Sequence, residues 1–119
     1  MDQGVQPSVL HGYTDSVASA YELIRQAIQD ELQVVAEYRG HVREMCPHAV
    51  GTKAGRLQAL FYQFGGSSES GLGQDGSNRN WRCVPVEGLK NIVVRPGPWH
   101  TGSGHSRRHS CLDWIDLAW

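Results

Sequence analysis

The sequence predicts a small α+β domain, mainly β, with an N-terminal helix, five short strands and a short C-terminal helix. Near the N-terminus the apolar residues recur with a helical period. Further along the chain they recur with the period of two that is typical of strands. Glycine is frequent, with 14 residues among 119, against a usual share of ~7%. Charged residues make up only 19%, which excludes a coiled coil, a long helical array and a disordered acidic tail.

The length limits the chain to one domain with a modest core, since folding at this size buries about 65% of the unfolded surface. We expect a flexible arm over residues 1–15 and a single domain over 16–119, with its core at 18–95 and a C-terminal loop and helix at 96–119. No apolar run approaches the ~18 residues of a membrane span. The N-terminus lacks the charged start and apolar centre of a signal peptide. We therefore expect a soluble, cytoplasmic protein with no membrane partner.

Charge is segregated along the chain, although the net charge is only −1. Residues 1–38 hold six acids and one base, residues 39–110 hold ten bases and four acids, and residues 111–119 hold two acids. The basic centre favours an anionic partner such as a nucleotide, a nucleic acid or a phosphorylated ligand. The alternative interpretation is that these basic residues only solvate exposed strands.

The cysteine and histidine pattern predicts neither a disulfide framework nor a metal site. Cys46, Cys83 and Cys111 are odd in number and form no CxxC pair, so we expect reduced thiols. Structural zinc sites usually carry paired ligands at short spacing in two clusters. The residues here are more scattered, and we expect no metal and no cofactor from them: His41, Cys46, His48, His100, His105, His109 and Cys111.

Residues 16–30 are predicted to form an amphipathic helix that begins at Ser16 or Ser19. Its apolar positions follow helical spacing and should face the core: Ala20, Leu23, Ile24, Ala27 and Ile28.

Five strands are predicted, over residues 33–39, 42–50, 56–64, 81–86 and 89–95. Pro47 should mark a bulge or a sheet edge. Strands joined by short turns and one long loop can curl into a small, partly open barrel. We interpret the long loop, 65–80, as a flexible connector in preference to an anion cradle.

Residues 110–119 are predicted to form the C-terminal helix, beginning at Ser110. Leu112, Ile115 and Trp119 share one face, whereas Trp114 and Leu117 lie off it. Burial on two sides would follow from a homodimer interface or from docking on a protein partner.

Several sequence elements together resemble the WYL domain family. The first is a helix ending in Asp30-Glu31, and the second is a strand with an aromatic residue before a glycine turn (35–40). Arg43 comes next and is followed four residues later by Pro47. An aromatic strand then runs into a glycine pair (60–66), and an aromatic-arginine strand (81–86) comes last. The resemblance covers roughly residues 18–95.

The resemblance implies a stand-alone, Sm-like or SH3-like β-barrel. Domains of this family usually act as regulatory ligand-binding modules in bacteria, and they are common in transcription regulators and in phage-defence proteins. The ligands proposed for the family are nucleotides or single-stranded nucleic acid. By position, the implied ligand-binding residues are Tyr38, Arg43, His48, Tyr62 and Arg82.

These residue types also suit an anionic, aromatic ligand on physical grounds. Arginine presents a planar fork to phosphate, and tyrosine offers a face on which a base stacks. The alternative is that Tyr38 and Tyr62 are core aromatic residues and that Arg43 pairs with Glu44 or Glu37.

No motif of a known enzyme class occurs, neither GxSxG, HExxH, a P-loop nor GxGxxG. We therefore expect a non-enzymatic binding module. The alternative function is protein–protein assembly, through a homodimer or another partner, at the apolar residues 110–119.

Overall fold

The computed structural model describes residues 16–104 and 110–119, in which one helix packs on an antiparallel sheet of six strands. The helix and strands are α1 (Val17–Asp30), β1 (Gln33–Tyr38), β2 (His41–Lys53), β3 (Arg56–Gly66), β4 (Trp81–Pro85), β5 (Lys90–Arg95) and β6 (Trp114–Ala118). The predicted class, α+β and mainly β, is confirmed. No helix in these two ranges is long and apolar enough to cross a membrane. The arm predicted at 1–15 lies outside the described residues.

Helix α1 forms where the sequence predicts it. The Ser16 side chain caps its N-terminus by accepting a hydrogen bond from the Ser19 N–H at 3.0 Å. The helix ends at Glu31, whose left-handed backbone (φ 53°) turns its N–H back toward the last carbonyls. All five predicted core positions are buried, together with one residue that the periodicity does not select: Ala20, Leu23, Ile24, Ala27, Ile28 and Tyr21.

The sheet is organised around the long strand β2. One edge of β2 pairs with β3, while β1 and β6 share the other edge. The strand order is β4-β3-β2-β1-β5. Among the described strands no ladder joins β4 to β5, so this sheet is open and has six strands where the sequence predicts five.

The β2–β3 hairpin extends beyond its predicted ends. Lys53 pairs with Arg56 across a two-residue turn in which Ala54 (φ 51°) and Gly55 (φ 78°) both have positive φ. This backbone matches the twist of antiparallel strands and so continues both strands to the turn. The register shifts between Pro47 and Ala49, which confirms the predicted bulge.

The predicted C-terminal helix is wrong: residues 114–118 form strand β6. Beyond β1, the edge of β2 needs partners for its backbone N–H and C=O groups, and β6 supplies them from Ala49↔Ala118 to Thr52↔Trp114. The close approach requires Gly51, since a Cβ there would lie 1.8 Å from the Trp114 carbonyl oxygen. Long-range pairing therefore overrides the helical spacing of this segment.

Both faces of the sheet carry a core. The larger core lies between α1 and the sheet and includes Ile24, Val34, Met45 and Phe61. The smaller core lies on the opposite face, where Leu60, Tyr62 and Trp81 pack against Cys111 and Leu112.

A disulfide joins Cys83 on β4 to Cys111 just before β6. The expectation of three reduced thiols is therefore wrong, and only Cys46, which is buried, remains free. The two residues are separated by 28 positions, and the spacing of cysteines along the chain does not show that the segment just before β6 returns to lie against β4.

Candidate anion-binding site

The five predicted ligand-binding residues separate into two groups on opposite faces of the sheet. Successive residues of a strand point to opposite faces, and β3 directs Tyr62 into the smaller core while Gln63 points to the other face. Arg43 and Arg82 both contact Gln63. Tyr38, Arg43 and Arg82 therefore form one group, and His48 and Tyr62 form another.

Arg43 lies at the start of β2 and is almost fully buried, with 2% of the residue exposed. Its Nε and one terminal nitrogen donate to the Tyr38 carbonyl oxygen at 3.3 and 3.1 Å. The same terminal nitrogen donates to Glu69 Oε1 at 2.9 Å, and the other donates to Gln63 Oε1 at 3.4 Å. Burial of this guanidinium is tolerated because hydrogen bonds and one carboxylate satisfy it.

Arg82 reaches the same place from β4 and fastens the loop after β3. Its Nε donates to Gln63 Oε1 at 3.1 Å. One terminal nitrogen donates to Ser68 Oγ at 3.2 Å and to the Gly71 carbonyl oxygen at 2.9 Å. Burial, followed by the charge of Arg43, lowers the pKa of Arg82. The two guanidinium groups are thus electrostatic neighbours.

Gln63 holds the two arginines together and was not among the predicted site residues. Its side chain is fully buried, its Oε1 accepts from both guanidiniums, and its Nε2 donates to the carbonyl oxygens of Gly65 and Ser67 at 2.9 and 3.0 Å. The sequence carried a signal for it: a polar residue occupies a position that the alternation of β3 directs to the core. Such a buried amide is stable only within a satisfied network.

Glu69 is the carboxylate of this network. Its side chain is 52% exposed and pairs with Arg43 at 2.9 Å. A hydrogen bond from its own backbone N–H, followed by the bond from Arg43, lowers the pKa of this carboxyl. Among the described residues no carboxylate lies within ion-pair distance of Arg82. Two guanidiniums therefore face one carboxylate, which leaves a surplus positive charge.

Tyr38 borders the arginine network at the end of β1. Its ring centroid lies 5.1 Å from the Arg43 guanidinium carbon and 5.5 Å from that of Arg39, both within cation–π range. Arg39 is exposed and has positive φ (53°) in the β1–β2 turn. Tyr38 therefore places an aromatic ring against one buried and one exposed arginine.

His48 and Tyr62 belong instead to an aromatic cluster on the other face. The His48 ring stacks on Trp99 at 5.2 Å and meets Trp81 and Trp119 edge-on at 4.9 and 5.1 Å. Tyr62 packs on Trp81 at 5.0 Å, and burial raises the pKa of its phenol. Neither side chain reaches the arginine network, so the structure does not bring all five predicted residues into one site.

The loop 65–80 is fastened rather than free, which corrects its interpretation as a flexible connector. Asn80 is 1% exposed and accepts from the Gly73 N–H at 2.7 Å. Its amide donates to the carbonyl oxygens of Gly73 and Gln74, both at 3.2 Å. Arg82, at the other end of the loop, adds the bonds to Ser68 and Gly71.

No group of three or more metal-ligating side chains occurs in the described ranges, 16–104 and 110–119. Two of the histidines considered above as metal ligands, His105 and His109, lie outside these ranges. His100, inside them, faces Asp75 at 3.2 Å and stacks on Phe64 at 4.0 Å.

Comparison of the chain with protein-family models, curated proteins and solved structures produced no match in any of the three.

Proposed function

We propose that this chain is a non-enzymatic, regulatory binding module for a nucleotide or single-stranded nucleic acid. The ligand's phosphate binds at Arg43 and Arg82, and its base stacks beside Tyr38. The resemblance to the WYL family supports the same ligand class and the interpretation of the open sheet as a relative of the SH3-like barrel. His48 and Tyr62, which that resemblance also implies, contribute to the opposite face and not to this site.

One observation carries the proposal. Arg43 and Arg82 come from different strands, share the neutral acceptor Gln63 Oε1, and are balanced by only one carboxylate in the described part of the chain. Two like charges side by side are unfavourable unless an anion compensates them. A phosphate group supplies that charge and accepts hydrogen bonds from the planar guanidiniums.

Arg82→Gln tests the proposal. Arg82 is only partly buried, so glutamine can occupy its position while the positive charge is lost. We expect the affinity for AMP and for a short single-stranded oligothymidylate to fall about tenfold or more, and the salt dependence of oligonucleotide binding to weaken. The measurements are fluorescence anisotropy for the oligonucleotide and calorimetry for AMP.

Lys53→Gln is the matched control. It removes the same charge at the far end of β2, where Lys53 lies beside Asp113 at 3.4 Å. If both variants bind like the wild type, or if the wild type binds neither probe, the proposal is wrong. Charge reversal of Arg43 is unsuitable as a test, because a carboxylate at this buried position would face the Tyr38 carbonyl oxygen and destabilise the fold.

A second candidate function is assembly of two copies through β6. Strand β6 lies at an edge among the described strands, and Trp114 at its start is 59% exposed. Exposed edges and aromatic side chains favour pairing between chains. A two-fold axis allows one edge to pair with itself in a second copy.

A further inference from the structure

The terminal nitrogens of Arg43 and Arg82 point at two consecutive loop residues. Arg43 donates to Glu69 Oε1 at 2.9 Å, and Arg82 donates to Ser68 Oγ at 3.2 Å. Two consecutive loop residues, Ser68 and Glu69, thus supply one side-chain oxygen acceptor to each of the two guanidiniums. Glu69 itself is the more exposed partner of its ion pair, with 52% of its side chain accessible against 3% for Arg43.

The Glu69 side chain can leave its ion pair without loss of the contacts that hold the loop on either side of Ser68 and Glu69. The segment before them is held by the bond from the Ser67 N–H to the Val42 carbonyl oxygen at 3.1 Å and by Gln63 Nε2. The segment after them is held by Asn80. Movement of the Glu69 side chain would free the Arg43 terminal nitrogen that now donates to it, while Arg82 keeps its bonds to Gly71 and Gln63.

We infer that Glu69 occupies the binding position of the ligand's phosphate, and that the site takes a terminal phosphate monoester, which displaces the Glu69 carboxylate. This inference rests on the proposed function. It adds the class of ligand, a terminal phosphate monoester, and the residue that competes with the ligand for the arginines, Glu69. With Glu69 displaced, the two positive charges of the guanidiniums lack the carboxylate that offsets one of them. A monoester supplies a charge of ≈ −1.5 to −2 and three acceptor oxygens, whereas an internal diester has one charge.

The test compares two oligothymidylates of nearly equal charge. One carries a 5′-phosphate, and the other has a 5′-hydroxyl and is one nucleotide longer. We expect the wild-type protein to bind the 5′-phosphorylated oligonucleotide about tenfold tighter. We expect Glu69→Gln to tighten its binding of that probe about fivefold further, because the internal carboxylate no longer competes, with little change for the 5′-hydroxyl probe.

Glu87→Gln is the control for the change in charge. Glu87 is also 52% exposed and also pairs with a single arginine, Arg56. Equal affinity for the two oligonucleotides, or weaker binding in Glu69→Gln, would overturn the inference while leaving the proposed function in place. The same tightening in Glu87→Gln would also overturn it, because the effect would then be one of net charge. Absence of binding to both probes in the wild type and in Glu69→Gln would overturn the proposed function as well.

Discussion

Single polar side chains connect distant parts of this small protein. Gln63 joins β2 to β4 by accepting from Arg43 and Arg82. Asp116 on β6 plays a similar part for α1: it accepts from the Tyr21 hydroxyl at 2.6 Å and from Arg25 Nε at 3.1 Å. Each links elements that are far apart in the chain, so each has an effect on stability that local sequence does not indicate.

Asp116 should make folding stability depend on pH. The Tyr21 hydrogen bond, followed by Arg25, lowers the pKa of Asp116, whereas burial, followed by the same hydrogen bond, raises the pKa of Tyr21. A carboxyl whose pKa is lower in the folded state stabilises the fold above its unfolded pKa of ~3.9, and this contribution is lost as the pH falls through the folded value. We expect Asp116→Asn to be less stable than the wild type near neutral pH, with a difference that shrinks in acid. Urea unfolding at several pH values measures this.

Asp30→Asn is the control for this pH dependence. Asp30 is an exposed carboxylate that accepts a hydrogen bond from Gln26 within the same helix. We expect Asp30→Asn to change the free energy of unfolding little at any pH. A stability difference for Asp116→Asn that stays constant from neutral to acidic pH would contradict the assignment.

At the scale of elements, β6 is held in place by strand pairing, by side-chain packing, by a backbone hydrogen bond and by the disulfide. It pairs with β2, Leu117 packs on the larger core and Ile115 packs on the smaller one. The Asp113 N–H also donates to the Thr52 carbonyl oxygen at 2.8 Å, just before the strand begins. The disulfide Cys83–Cys111 then ties the start of this segment to β4.

Removal of the disulfide should lower stability measurably. A cross-link that closes a separation of 28 residues restricts the unfolded chain, and the chain-entropy relation gives about 3.5 kcal/mol for it. We expect the double variant Cys83→Ser/Cys111→Ser to unfold at lower urea, with a loss of ~2–4 kcal/mol.

The reducing agent dithiothreitol provides the matched comparison for the double variant. It should destabilise the wild type and leave the double variant unchanged. Alkylation of the denatured, unreduced wild type should label one cysteine, Cys46. In the native state labelling of Cys46 should be slow, since burial raises the pKa of its thiol to about 11. Labelling of three cysteines without reduction would exclude the disulfide.

On the scale of the whole molecule, the sheet is covered on both faces by segments that come from the two ends of the described chain. Helix α1 covers one face, and the segment around Cys111 and Leu112 covers the other. Trp119 closes the arrangement by donating its backbone N–H to the His48 carbonyl oxygen at 2.7 Å. Truncation of residues 110–119 would therefore damage the fold and cannot serve as a test of assembly.

Trp114→Ser tests assembly without removing β6. If two copies pair through this edge, the wild type should elute as a dimer at high concentration in size-exclusion chromatography with light scattering, and the variant should remain a monomer. Val17→Ser is the control, because Val17 is also an exposed apolar residue, 38% accessible, but lies on α1. A wild type that stays monomeric at all concentrations would exclude this second function.

Local patterns were sufficient for the parts of the fold that depend on neighbouring residues. The period of α1 identified its core face, because burial of one face imposes that period directly on the chain. Pro47 likewise marked a bulge, since proline cannot complete a strand ladder. Two members of the proposed site, Arg43 and Arg82, are also implied by the family resemblance, and their role in binding stays a prediction.

The remaining features depend on contacts between residues far apart in the sequence. The C-terminal segment has helical spacing, yet it becomes a strand because β2 offers an unpaired edge from Ala49 to Thr52. The disulfide depends on the same return of the chain. The division of the five predicted site residues between two faces follows from the register of β2, β3 and β4. Pairing between distant strands depends on the free energy of the whole assembled sheet. The periodicity of a single segment contains no information about that free energy.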